Sequence, residues 1–461
     1  MSARSIWLIL LLVAVALRLP DVGNPLVDVD EQMYLLVGQR MLDGAIPYVD
    51  IWDRKPIGLF ILYAIVGSLP GDPVIVGQLL ALLAAALTAG VIATLASRFA
   101  GRVSALAAGS LYLVWLELLG GRGGQSPVFY NLLIVAAALL TWDTLTGRRR
   151  GAIPAMLLAG LALQIKPTVM FEGLFLGGAL VTAAWHRQRR ALPVIRDALA
   201  YASIALVPTA MAFAAYVAIG HADAWWFANV DSIFLRQITP ADPLLERLAG
   251  VAVVLIVPAA VAVRGIVQQQ PSARLFLGGW LATAAIGWLL VPPYFNHYAL
   301  PLLVPIAIGA AGALDRRPMQ ILVAIAGIAL LVMSGFPHWG ETTDTRRRLA
   351  TLAKTIEGAR GQGCLFVFQA PPTLYTATRS CLPTRYPFPY HLVEPSEEHA
   401  IGVDPDVEVA RILAAAPPVI AAGDRPDRRR RPTVLRVSRT LAQHYRPIAS
   451  DLGITVYRRI N

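Results

Sequence analysis

Apolar runs of near-membrane length recur along this chain and limit what it can fold into. They fall at roughly 6–19, 73–97, 103–119, 128–145, 151–166, 168–185, 198–219, 249–268, 275–292, 298–314 and 319–337. A helix needs about 20 mostly apolar residues to cross the hydrocarbon core of a bilayer. Inside that core, only helices and closed barrels satisfy every backbone donor and acceptor. The runs therefore predict an all-α polytopic membrane protein with about eleven transmembrane helices, in contact with membrane lipid. One further run, Ile57 to Leu69, is too short for a crossing and predicts an interfacial or re-entrant juxtamembrane helix. The first run has no small-x-small cleavage site before Pro20-Asp21, so it predicts an anchor that is kept.

Charge gives the orientation. The chain is 56% hydrophobic and only 15% charged, yet carries a net charge of +11; soluble domains are about a quarter charged. One set of alternating loops holds Arg98/Arg102, Arg148/Arg149/Arg150, Arg187/Arg189/Arg190/Arg196, Arg264/Arg274 and Arg316/Arg317. The opposite loops hold little beyond Arg122, Lys166, Arg236 and Arg247. By the positive-inside rule the N-terminus is cytoplasmic and the long loop 21–72 is external. The basic balance thus points to a membrane and not to nucleic acid. No zinc-type cysteine cluster and no phosphate-cradling Gly-Lys-Ser/Thr motif is present.

Residues 338–461 differ in kind from the transmembrane domain 1–337. They are polar and proline-rich, with strand-like runs at Leu365–Phe368, Val419–Ala421 and Ile454–Tyr457 and a helical stretch from about Thr433 to Tyr445. After an odd number of crossings they form a small α/β extracytoplasmic domain. Cys364 and Cys381 lie there, where they either pair or stay free. The run Arg428–Arg431 reads as a solvated loop, with contact to an anionic glycolipid as the alternative.

The chemistry concentrates in the external loop. Asp30 to Asp43 reads as a short amphipathic helix ended by Gly44, and Asp28-x-x-Glu31 fits a capping box at its start. Asp28-Val29-Asp30 also spells a short D-x-D, which leaves a divalent metal open. Of the 40 basic residues only Lys55, Lys166 and Lys354 are lysines, and the first two each precede proline. A compact ammonium suits one phosphate oxygen where guanidinium suits a planar fork. In the derived topology Asp28, Asp30, Glu31, Lys55, Glu117, Arg122, Lys166, Glu172 and His297 all fall on the outer side or at outer helix ends. Ionisable groups in apolar segments are costly and mark function by default. Transporters more often hold such groups at the midplane between repeated halves, so collection at the outer face favours chemistry there. The plainer alternatives are local: Glu117 and Glu172 snorkel to water, His297 sits in an aromatic belt, and the lysines end helices.

The run VDVDEQMYLLVGQRMLDG…WDRKPIGLFILYAI resembles the first external loop of the GT-C glycosyltransferases. It is most similar to the branch of protein O-mannosyltransferases and the lipid A aminoarabinose transferase. The segments GLALQIKPTVMFEG and HYALPLLVPIAIGAAG match further parts of that pattern, and the likeness covers most of 1–315. The resemblance implies inverting transfer of a sugar from a polyprenyl-phosphate donor to a lipid, glycan or protein acceptor on the external face. It implies Asp30 as general base with Glu31 beside it, and Lys55, Lys166 and His297 on the donor phosphate. Asp28, Tyr34, Glu117, Arg122 and Glu172 become acceptor or supporting groups. No cofactor is required by the pattern, since the most similar branch mostly works without metal; Asp28 and Asp30 are the ligands if one binds. The sequence departs from the pattern at Gly121–Pro127, where relatives commonly carry an acidic residue. The alternative reading is a non-catalytic transporter, flippase or scaffold for lipid-linked sugars.

Overall fold

The computed structural model of the protein describes residues 1–148, 150–238, 243–423 and 432–460. Arg149 and the run Arg428–Arg431 lie outside the described residues. The chain is mainly helical and closes with a small sheet. Among the described residues, six helices are long and apolar enough to cross a membrane: Ala3–Asp21, Pro73–Ala96, Ser126–Leu145, Pro167–Gln188, Ala191–Ala218 and Leu244–Val267. The other five runs expected to cross fold as helices that are shorter or less apolar: Arg102–Leu118, Ala152–Leu163, Pro271–Leu289, Asn296–Ala310 and Arg317–Met333. Local chemistry explains one case. The run from 151 stops at Leu163 because Lys166 precedes Pro167, which holds Lys166 extended and opens a 3-10 turn.

The fold divides into two compact units. Unit one comprises Met1–Val22, Gly77–Ala212 and Asp242–His338; unit two comprises Gly23–Val76, Phe213–Ala241 and Trp339–Asn461.

Unit one is a helical bundle with small residues at its close contacts. A Cβ on Gly265 would stand 2.2 Å from the Gly309 carbonyl oxygen, so only glycine lets Leu244–Val267 approach Leu303–Ala310 this closely. Polar groups tie the helices where they cross. The Trp115 indole donates to the Val254 carbonyl at 2.8 Å, and the Asn131 amide donates to that of Leu300 at 3.2 Å. Leu192, Leu199, Leu206 and Met211 stand exposed along Ala191–Ala218. An apolar face of that extent is a poor fit to water and a good one to lipid.

Unit two joins the first loop to the C-terminal residues. The helix Val29–Leu42 packs on Ile57–Ser68, and a Cβ on Gly38 would meet the Tyr63 carbonyl carbon at 2.5 Å. The sheet comprises β1 (Leu365–Phe368), β2 (Val419–Gly423), β3 (Tyr445–Asp451) and β4 (Ile454–Arg459), in the order β1-β2-β4-β3. β1 and β2 are parallel; β4 is antiparallel to both of its neighbours. The helix Pro432–His444 matches the expected one, and β3 follows it directly. The core gathers Trp52 with Phe366, Ile420, Val409, Val437 and Tyr386. Trp52 is thus the first loop's contribution to a core built mainly by the C-terminal residues. Its backbone N–H donates to the Arg385 carbonyl at 2.7 Å. Cys364 and Cys381 form a disulfide with their Cα atoms 5.0 Å apart, closing the chain around β1.

Candidate active site

The candidate residues divide between the units. Asp28, Asp30, Glu31, Tyr34 and Lys55 belong to unit two; Glu117, Arg122, Lys166, Glu172 and His297 belong to unit one.

In unit two the site begins as a helix cap. Asp28 has extended backbone (φ −151°, ψ 125°) and its Oδ1 accepts the Glu31 N–H at 2.9 Å, which is the first bond of the expected capping box. Asp30 and Glu31 then occupy the first turn, where the positive end of the helix dipole supports negative charge. Removal from water pushes the Asp28 carboxyl well up, and the charges of Asp30 and Glu31 add to this against the hydrogen bond from Glu31. Three carboxyl groups crowd one helical turn, and Asp28 is the one committed to capping.

Tyr34 stands one helical turn beyond Asp30 on the same face. Its ring is fully buried, and among the described residues its hydroxyl has no hydrogen-bond partner. Burial pushes that hydroxyl well up, and Asp30, Asp53 and Asp28 push it further. Lys55 Nζ lies 5.5 Å from the centroid of the Tyr34 ring and 3.9 Å from Asp53 Oδ1. The lysine is held at its backbone too: its N–H donates to Asp53 Oδ1 at 3.1 Å, and the Tyr48 hydroxyl donates to its carbonyl at 2.8 Å. Unit two therefore gathers Asp28, Asp30, Asp53 and Lys55 around one buried tyrosine. Behind this group, Arg54 forms a bidentate pair with Glu397, and Arg236 Nε reaches the same carboxylate at 3.1 Å.

In unit one Tyr298 is the shared contact. Lys166 Nζ lies 4.4 Å from the centroid of its ring, and the His297 ring meets it edge-on at 4.8 Å. His297 also stacks on Phe295. Lys166, Glu172 and Tyr298 line one narrow cavity with Thr168 and Trp288. Glu172 Oε1 accepts the Trp280 indole N–H at 2.7 Å, which fixes one oxygen of this buried carboxyl.

Glu117 and Arg122 take part in a separate network. Arg18, only 2% exposed, donates to Glu117 Oε1 at 2.9 Å and to the carbonyls of Gly121, Arg122 and Gly123. Arg122 Nε donates to Asp21 Oδ2 at 3.0 Å, and His338 Nδ1 lies 3.4 Å from Asp21 Oδ1. One ion pair, Arg122 with Asp21, and the bonds from Arg18 to three carbonyls thus fasten the Gly121–Pro127 loop. Glu117 is paired with Arg18, the arginine that holds that loop.

Arg18, Asp21 and Asp53 were not singled out by sequence. Arg18 and Asp21 flank Pro20 at the end of the first apolar run, where charge is ordinary. Asp53 lies two residues before Lys55 in WDRKPIG, but its contact with that lysine needs the turn's geometry. Among the described residues no three His, Cys, Asp or Glu side chains group as a metal site.

No family model matches the chain, and no curated protein matches it. A solved structure does: the crystal structure of ArnT from Cupriavidus metallidurans bound to undecaprenyl phosphate. The likeness has a TM-score of 0.66 at 16% sequence identity and covers 99% of this chain and 97% of that one. At that identity the shared property is the fold.

Proposed function

We propose that this chain is an integral membrane glycosyltransferase of the GT-C type. It moves a sugar from a polyprenyl-phosphate donor to a lipid, glycan or protein acceptor on the external face. The observation that carries the reading is the fold shared along nearly the whole chain with ArnT, a protein crystallised with undecaprenyl phosphate. The two site groups support it with suitable chemistry: carboxylates at a capped helix start beside a fixed lysine, and a second lysine against Tyr298.

In the proposed step Asp30 takes the proton from an acceptor hydroxyl, with Glu31 beside it. The acceptor oxygen bonds to the anomeric carbon from the face opposite the phosphate. The bond from that carbon to the phosphate oxygen breaks, and the polyprenyl phosphate leaves with the electron pair. Inversion follows from this in-line attack. Lys55, Lys166 and His297 stabilise the departing charge. Tyr34, Glu172 and Asp28 support the site, and Glu117 and Arg122 serve the acceptor side through the loop they hold.

About eleven crossings, a cytoplasmic N-terminus and an extracytoplasmic domain at 338–461 complete the reading, in the inner (plasma) membrane. The Cys364–Cys381 disulfide supports that side, since such bonds persist in oxidising compartments.

The test uses purified protein in nanodiscs, a panel of polyprenyl-phosphate sugars and an envelope lipid extract. Carrier-phosphate release is followed by mass spectrometry for wild type and Asp30→Asn, with and without EDTA. Release with one donor, abolished by the substitution, is expected. The EDTA arm decides whether a divalent ion takes part. Bound carrier with no release from any donor would favour a transporter or scaffold and refute the transferase.

A further inference from the structure

Away from the carboxylate turn, unit two carries a polar cavity of about 440 Å³. Asp50 of the first loop lines it, with Thr384, Arg385 and Tyr386 and with Glu408 and Arg411 of the helix Pro405–Ala414. The volume falls within the range of roughly 300–1,000 Å³ usual for small-molecule sites.

Its two arginines differ in what they have left to offer. Arg411 is spent: Nε donates to Glu408 Oε2 at 2.8 Å, and Nη2 donates to Glu408 Oε1 at 2.6 Å and to the Pro383 carbonyl at 2.8 Å. Thr384 adds a hydrogen bond to Glu408 at 2.6 Å, so the Glu408–Arg411 pair forms a neutral, fixed wall. Arg385 is held but not consumed. Its Nε donates to the Tyr386 hydroxyl at 2.8 Å, its guanidinium lies 5.0 Å from the Tyr386 ring centroid, and its carbonyl accepts the Trp52 N–H. Among the described residues no hydrogen bond uses its two terminal amino groups. A guanidinium fixed at Nε with both amino groups presented is the geometry that grips a carboxylate or phosphate in bidentate fashion.

Asp50 lines the same cavity; its Oδ2 accepts the Ile46 N–H at 2.7 Å, and among the described residues no hydrogen bond uses Oδ1, which is left to hydroxyl donors. The Tyr386 ring is 3% exposed and lies beneath Arg385, so the wall offers no open aromatic face for a nucleobase. A cation fork, a carboxylate acceptor and no stacking surface select a hydroxylated ring with one negative group.

We propose that this cavity binds a sugar or polyol carrying one phosphate or carboxylate, with Arg385 gripping the anion and Asp50 accepting ring hydroxyls. The site lies wholly in unit two and stands whether or not the transferase reading holds. Its ligand is either a free sugar phosphate or the headgroup of a membrane lipid.

Full-length protein in phosphatidylcholine nanodiscs is titrated with inositol 1-phosphate by calorimetry. A parallel preparation carries phosphatidylinositol, with bound lipid counted by native mass spectrometry. One saturable site in the first arm identifies a soluble ligand; retention only in the second identifies a lipid headgroup. Arg385→Gln weakens the responding arm about tenfold, the loss expected for a bidentate charge-assisted contact. Asp50→Asn keeps an acceptor for Ile46 but puts an amide donor where the ring hydroxyls need an acceptor, so it weakens inositol 1-phosphate or the inositol headgroup while inorganic phosphate, which needs Arg385 alone, binds as to wild type. That difference between the two probes separates site chemistry from misfolding, which weakens both alike. No saturable binding in either arm, or Arg385→Gln binding as wild type, overturns the proposal.

Discussion

His391 makes unit two sensitive to acid in a window where a single side chain can be isolated. The residue is 4% exposed, meets Trp52 edge-on at 4.8 Å and packs against Phe388 at 5.0 Å between ring centroids. Among the described residues its Nδ1 has no hydrogen-bond partner. Burial lowers its pKa first; the Arg54 and Lys55 charges lower it further against Glu397 and Asp53, and it falls to about 4 from 6.5. Above pH 6.5 neither the folded nor the unfolded chain carries this proton, and the stability is fully present. As pH falls from 6.5 towards 4 the unfolded chain takes up the proton while the folded one does not, so stability is lost. At about 1.36 kcal/mol per pH unit the loss approaches ~2 kcal/mol at pH 5 and ~3.4 kcal/mol at pH 4. Glu397 titrates lower. Burial alone would raise its carboxyl, but Arg54 and Arg236 hold it at about 2, so its loss comes between pH 4.5 and 2. The upper window therefore belongs to His391. Melting of wild type and His391→Phe is followed by tryptophan fluorescence at pH 7.5, 6.5, 5.5 and 5.0. Wild type should lose roughly 4–8 °C more than the variant between the first and last conditions, scaling ~2 kcal/mol for a domain of about 200 residues. Groups such as Asp28, whose raised carboxyl has the opposite sign, titrate alike in both proteins and cancel. Parallel curves for the two proteins would refute the assignment.

Three further perturbations follow from the packing. Gly38→Val forces a side chain against the Tyr63 backbone and should destabilise unit two by about 1–3 kcal/mol; an unchanged melting temperature would show that the two helices separate freely. Arg18→Ala strips the buried Glu117 and three carbonyls of their donor. It should cost about 3–5 kcal/mol and open the Gly121–Pro127 loop to proteolysis, and a protease-resistant variant would count against that role. Replacing Cys364 and Cys381 together by serine frees a loop of sequence separation 17. About 3 kcal/mol of stability should go with it, read as a lower denaturation midpoint, and an unshifted midpoint would contradict the estimate.

What the sequence disclosed depended on the range of the interaction. The helix cap at Asp28, the stop at Gly44 and the short helix at Ile57 are set by residues within one turn, and they appear in the structure at Val29–Leu42 and Ile57–Ser68. Three strands were legible as compact apolar runs. β3 was not, because it is a sheet edge with Arg446, Pro447 and Ser450 in its run and a bulge between Pro447 and Ala449. The candidate residues were legible as charges out of place in apolar surroundings, but their partners were not. Arg18 lies 99 positions from Glu117 and Arg54 lies 343 from Glu397, and no local pattern encodes such pairings. Nothing in its local sequence marks Trp52, whereas the structure places it in a core formed mainly by residues hundreds of positions later. The six clear spans satisfy length and hydropathy together; the other five helices fall short in one or the other, and where each ends is set by local breaks such as Lys166-Pro167.

The central claim is a division of labour between a carboxylate base and lysines that hold phosphate. The most direct measurement compares turnover with carrier binding in the same preparations, using the donor identified by the release assay. Asp30→Asn should abolish carrier-phosphate release while binding polyprenyl phosphate as wild type does; Lys166→Ala should bind the carrier about tenfold more weakly. Wild-type release by Asp30→Asn, or carrier affinity indifferent to Lys166→Ala, would contradict the account.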